Sequence, residues 1–113
     1  METFVLVHGA WHGGWCWIRV RDQLAAAGHR VFTPTLTGLA DRRHLLSREV
    51  VLDTHIADVV NLLEAEELTD VVLVGHSYAG AVTPGVIDRA PQRIRQLVLL
   101  DATIVDFGET QSI

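Results

Sequence analysis

A chain of 113 residues, 49% hydrophobic and 20% charged, carries apolar material for one core and a single domain. Its net charge of -5, with nine arginines and no lysine, argues against a polyanion-binding surface, so nucleic acid is not an expected partner. One cysteine, Cys16, excludes an internal disulfide and fits a reducing compartment, and with neither a signal peptide nor a membrane span expected, the reading is cytoplasmic with no membrane partner.

The first expected strand, residues 4–8, is a short apolar run ending on His8, and it enters a glycine-bearing loop. In that loop Gly9 permits close backbone approach, and Gly13 and Gly14 permit the turn back into a helix over residues 15–27. Cys16 is expected there as a small buried hydrophobe, and Gly28 as a left-handed stop. A second strand follows at 30–33. The long loop 34–52 is expected to lie over the mouth of a site, with Arg42 and Arg43 as solvated charges. Asp53 or Thr54 can cap the next helix, where Ile56, Val59, Val60 and Leu63 recur at helical spacing. Residues 71–75 form a third strand, a helix runs from behind Ser77 to Ala90-Pro91, and residues 96–100 form a fourth strand. Pro84 lies inside the third helix, so a kink near Gly80 is expected. Short, continuously apolar strands alternating with helices specify an α/β fold: a three-layer αβα arrangement with a mostly parallel sheet.

The most informative segment is Gly75-His-Ser-Tyr-Ala-Gly80, in which a buried strand breaks at a small-residue turn with Ser77 at its tip. This is the pattern of a nucleophile elbow, where bulky side chains two residues either side of the serine would collide as strand folds back on helix. Gly75 meets that demand, and Ala79 with Gly80 is a tolerated variant of the second glycine. A serine that attacks a carbonyl needs an oxyanion hole, built from the N–H after the serine and one from the loop after the neighbouring strand. Those residues are Tyr78 and Ala10. His8 is expected to brace this loop and, with Trp11, to border the substrate pocket. Right-handed crossovers set the elbow strand beside the first, which gathers His8, Ala10, Ser77 and Asp101 at the carboxyl ends of the strands.

Asp101 closes the fourth strand and is read as a turn cap, with a role as an alternative triad acid held in reserve. Asp106 is a weaker candidate. His8 and His12 have the spacing of a helical metal pair, but the loop context breaks that geometry, so no metal is expected. The glycine loop lacks the lysine of a phosphate-binding loop and the spacing of a dinucleotide-binding one, and no cofactor is expected. His76 is expected to pack beside its strand end.

The runs His8-Gly-Ala-Trp-His-Gly-Gly-Trp-Cys-Trp17, Ala27-Gly-His29, Thr37-Gly-Leu39, Thr54-His-Ile56 and Gly75-His-Ser-Tyr78 resemble the α/β-hydrolase superfamily, in its branch of compact bacterial esterases related to plant methylesterases and hydroxynitrile lyases. The resemblance extends into residues 108–112. It implies a serine hydrolase acting on a small-molecule ester through an acyl-enzyme on Ser77. Its alternatives are a hydroxynitrile-lyase-type reaction, or a non-catalytic ligand-binding domain of the same fold. Ala40 stands where such sequences tend to carry glycine. Family members run to more than twice this length, with the acid and histidine after the serine, and here no histidine follows His76. The resemblance therefore implies that a C-terminal half or partner segment completes sheet and triad, and that these residues alone form a poor catalyst or none.

Overall fold

All four strands are present in a computed structural model that describes residues 1–102. Strands β1 (Thr3–Val7), β2 (Arg30–Phe32), β3 (Val71–His76) and β4 (Ile94–Leu100) alternate with helices α1 (Ile18–Ala26), α2 (Leu52–Ala65) and α3 (Ala79–Arg89). They make one parallel sheet in the order β2-β1-β3-β4. From β1 the chain winds outward to β2, then crosses back to the other side of β1 for β3. The winding therefore reverses between β1 and β3, and the crevice beyond their carboxyl ends is where open α/β sheets take ligands. Asp106 and residues 108–112 lie outside the described residues.

Side chains alternate across the sheet and split the core in two. Val5, Val7, Val71 and Leu73 face Ile56, Val59, Val60 and Leu63 of α2 and Val82 and Val86 of α3. Leu6, Val72 and Val74 face the opposite way, against Trp17. Strand β3 is buried along Val71 to Gly75, which explains its unbroken apolar sequence. Strands β2 and β4 are the edges among the described residues.

Three local expectations change. The first helix opens as a 3-10 turn, Gly14–Trp17, before α1 begins at Ile18. Tertiary packing sets this start: Gly14 donates its N–H to Thr35 Oγ1 at 2.9 Å, and a Cβ on Gly14 would stand 2.1 Å from the Thr33 carbonyl oxygen. Helix α2 starts at Leu52, so Asp53 lies within its first turn, and Thr54 reaches back to accept the Val51 N–H at 3.0 Å. Pro84 sits inside α3, yet the segment remains one helix from Ala79 to Arg89. Gly85 lets this helix approach α2, since a Cβ there would stand 2.3 Å from Ile56 Cδ1.

Candidate active site

Ser77 occupies the left-handed region at φ 55, an uncommon place for a residue with a side chain and one that costs roughly 1–2 kcal/mol. Three bonds hold it there. Its N–H donates to the Leu100 carbonyl at 3.3 Å, while the N–H groups of Gly80 and Ala81 turn back to the carbonyls of Ser77 at 2.9 Å and Tyr78 at 2.8 Å. The side chain is exposed at the rim of the sheet. Gly75 is required by space: a Cβ there would meet Thr83 Cγ2 at 3.0 Å and Ala79 Cβ at 3.3 Å. The same contact accounts for a small residue at position 79.

The loop after β1 closes against this bend. Its turn is tied by the His12 N–H donating to the Gly9 carbonyl at 3.3 Å, with Trp11 at φ 68, a position where such turns ordinarily favour glycine or asparagine. Gly9 lies against the elbow, because a Cβ on it would stand 3.0 Å from Ser77 Cβ and 3.2 Å from the His76 carbonyl oxygen. Among the described residues, neither the Ala10 N–H nor the Tyr78 N–H donates a hydrogen bond. The loop that carries the Ala10 N–H thus packs against the bend that carries the Tyr78 N–H.

His8 is fully buried beneath this loop. Its Nδ1 lies 2.7 Å from the Gly9 carbonyl oxygen and its Nε2 lies 3.0 Å from the Leu36 amide. Since a carbonyl only accepts and an amide N–H only donates, the ring is neutral with its proton on Nδ1. Burial pushes its pKa below 6.5, against a smaller opposing pull from the Gly9 bond. His8 therefore braces the loop from beneath, whereas Trp11 is exposed.

A second histidine was given no role in the sequence reading. His55 of α2 is buried, with Nε2 2.9 Å from the Thr37 carbonyl and Nδ1 2.9 Å from Tyr78 Oη. The carbonyl fixes the proton on Nε2, so the Tyr78 hydroxyl donates to Nδ1. Thr37 is in turn held by Asp58, which accepts from its N–H at 2.6 Å and its Oγ1 at 2.7 Å. This chain of bonds ties Tyr78 of the elbow to α2 and to the loop after β2. Burial raises the Tyr78 hydroxyl to about 12, so it remains a neutral donor. One signal pointed to His55: it lies four residues before Val59, on the apolar face of its helix, where a polar ring requires a buried partner.

Two cavities border the elbow and the loop packed against it, although Ser77 itself lines neither. One of about 300 Å³ lies on the α1 side, lined by His12, Cys16, Trp17, Val20, His76 and Leu100. Here His12 Nδ1 and Trp17 Nε1 are buried without partners among the described residues. Cys16, expected in the first helix, lies in the 3-10 turn, half-buried, and burial raises its thiol pKa. The other cavity, of about 200 Å³, is bounded by Trp11, Leu39, Leu46, Val50 and His55. Asp101 is exposed at the end of β4 with φ 46. Among the described residues no three histidine, cysteine or acidic side chains gather as a metal site, and no helix is long and apolar enough to cross a membrane.

Comparison with known proteins agrees with this geometry. A model of the alpha/beta hydrolase family matches residues 4–112. A carbendazim hydrolyzing esterase from Nocardioides sp. (strain SG-4G) is 56% identical over 110 residues, covering 97% of this chain and 46% of that protein. Methylesterase 10 of Arabidopsis thaliana is 34% identical over 103 residues, covering 90% of this chain and 38% of that protein. Among solved structures, an extracellular alpha/beta-hydrolase from a Paenibacillus species superposes with a TM-score of 0.83 at 32% identity, over 90% of this chain and 41% of that one. The chain spans less than half the length of these relatives.

Proposed function

The chain belongs to the α/β-hydrolase family, and from that premise we propose that it carries the nucleophile half of an active site that hydrolyses carboxylic esters. In this reading the Ser77 hydroxyl attacks the ester carbonyl and expels the alcohol, leaving an acyl-enzyme. The Ala10 and Tyr78 N–H groups hold the oxyanion at each tetrahedral stage, and water then releases the acid. The observation that carries the reading is a strained, exposed serine where the sheet winding reverses, with the glycine loop packed against it and the Ala10 and Tyr78 amides uncommitted among the described residues. Its relatives include proteins named as esterases.

A serine hydroxyl needs a base, and neither fully buried histidine is free to act as one. His8 and His55 have both ring nitrogens engaged below the surface. We place the triad histidine and its acid outside these 113 residues, in the longer enzyme, with Asp101 as an alternative acid. The cavity that reaches His76 and Leu100 leaves room beside Ser77 for an incoming imidazole. The natural substrate is a small-molecule ester, with neither metal nor cofactor in the step.

A fluorophosphonate probe, which reacts only with an activated serine, tests this on the full-length enzyme. Covalent labelling that disappears in Ser77→Ala supports the assignment. Labelling that persists in Ser77→Ala, or never occurs in the wild type, ends it.

A further inference from the structure

We propose that the cavity between the 36–50 loop and Trp11 binds a single aromatic ring of the substrate, a refinement that rests on the ester reading above. Its walls are Leu39, Leu46, Val50, the indole of Trp11 and the imidazole of His55. Two walls carry polar atoms: both imidazole nitrogens are already committed, to Tyr78 Oη and to the Thr37 carbonyl, which leaves the indole N–H of Trp11 as the side-chain donor the lining offers. The lining side chains present no free acceptor and no carboxylate, amide or hydroxyl. A polar substituent entering the cavity would regain at most one of the hydrogen bonds it makes with water, so this position disfavours polar substituents.

Size and shape select among apolar groups. A cavity of roughly 150 Å³ accommodates benzene, so about 200 Å³ holds one six-membered ring with a short substituent. Trp11 and His55 present flat aromatic faces, which favour a planar ring over a flexible alkyl chain. Trp11 is 86% exposed and Leu46 63% exposed, apolar surface that a bound ring would take out of water. Trp11 directly follows Ala10 in the chain, which puts one wall of this cavity a single residue from the loop amide assigned to the oxyanion.

Two measurements separate this subsite from the ester reading. Methyl NMR of the protein during a toluene titration should show saturable ring-current shifts at Leu39, Leu46 and Val50, abolished in Leu46→Glu. That side chain is exposed, so the variant is expected to fold. In the full-length enzyme, the kcat/KM preference for methyl phenylacetate over methyl acetate should fall about tenfold or more in Leu46→Glu. Toluene shifts absent from these methyls, or a preference that Leu46→Glu leaves unchanged, would overturn the subsite. Saturable shifts in a full-length protein that hydrolyses neither ester would support the cavity assignment and sink the ester chemistry instead.

Discussion

Replacing His8 resolves which of its two bonds holds the loop after β1, and the structure ranks the outcomes. Asparagine places an amide near the position of Nδ1 and can still donate to the Gly9 carbonyl, while glutamine reaches the position of Nε2 and can still accept from Leu36. The Gly9 carbonyl keeps a second donor in the His12 N–H, whereas the Leu36 amide has His8 Nε2 as its partner. His8→Gln therefore forfeits one bond at a site that stays satisfied, a net loss of about 0.5–1.5 kcal/mol. His8→Asn strands a buried N–H, at about 1–3 kcal/mol. His8→Phe keeps the ring volume but loses both bonds, for a sum near 2–4 kcal/mol. With a urea m-value of about 1–3 kcal/mol per molar, the phenylalanine variant should lower the unfolding midpoint by roughly 1 M or more. Far-UV circular dichroism across a urea series reads this directly. An asparagine variant as stable as wild type, or a glutamine variant no better than phenylalanine, would refute the assignment of the Leu36 bond as the one that matters.

The same residue makes the protein acid-sensitive. Because burial lowers the folded-state pKa of His8 below 6.5, the unfolded chain binds its proton first as pH falls. Stability from this group is thus complete above about pH 6.5 and is lost below it, at up to about 1.4 kcal/mol per pH unit. The gap between wild type and His8→Gln should narrow between pH 7 and 5 in urea titrations; a constant gap contradicts the argument. Gly9→Ala adds a methyl 3.0 Å from Ser77 Cβ. The loop must then retreat by tenths of an ångström, and fluorophosphonate labelling should slow by roughly tenfold, with about 1 kcal/mol of destabilisation in thermal melts. Labelling at the wild-type rate would show that the loop does not take part. Ser77→Gly should be more stable than Ser77→Ala by about 0.5–1 kcal/mol, since glycine relieves the left-handed strain and loses part of the gain to unfolded-state entropy. Equal melting temperatures would mean that the elbow is unstrained.

The sequence by itself determined the sheet, the elbow and the loop facing it. Those features leave legible residue choices: β3 is apolar without interruption because both faces are covered, Gly75 and Ala79 are small because they meet across the bend itself, and Gly9 is small where the loop after β1 comes against that bend. The tertiary structure alone decided where the first helix starts, since Gly14 is held by Thr33 and Thr35 from a distant strand end. It also decided what the histidines do. His8 and His55 acquire their tautomers from Leu36, Thr37 and Tyr78, partners 18 to 28 residues away in the chain. A hydrogen bond between a side chain and a distant partner leaves no periodic trace in composition or spacing, so only packing could show that one ring is bonded to the elbow and the other to the loop beside it.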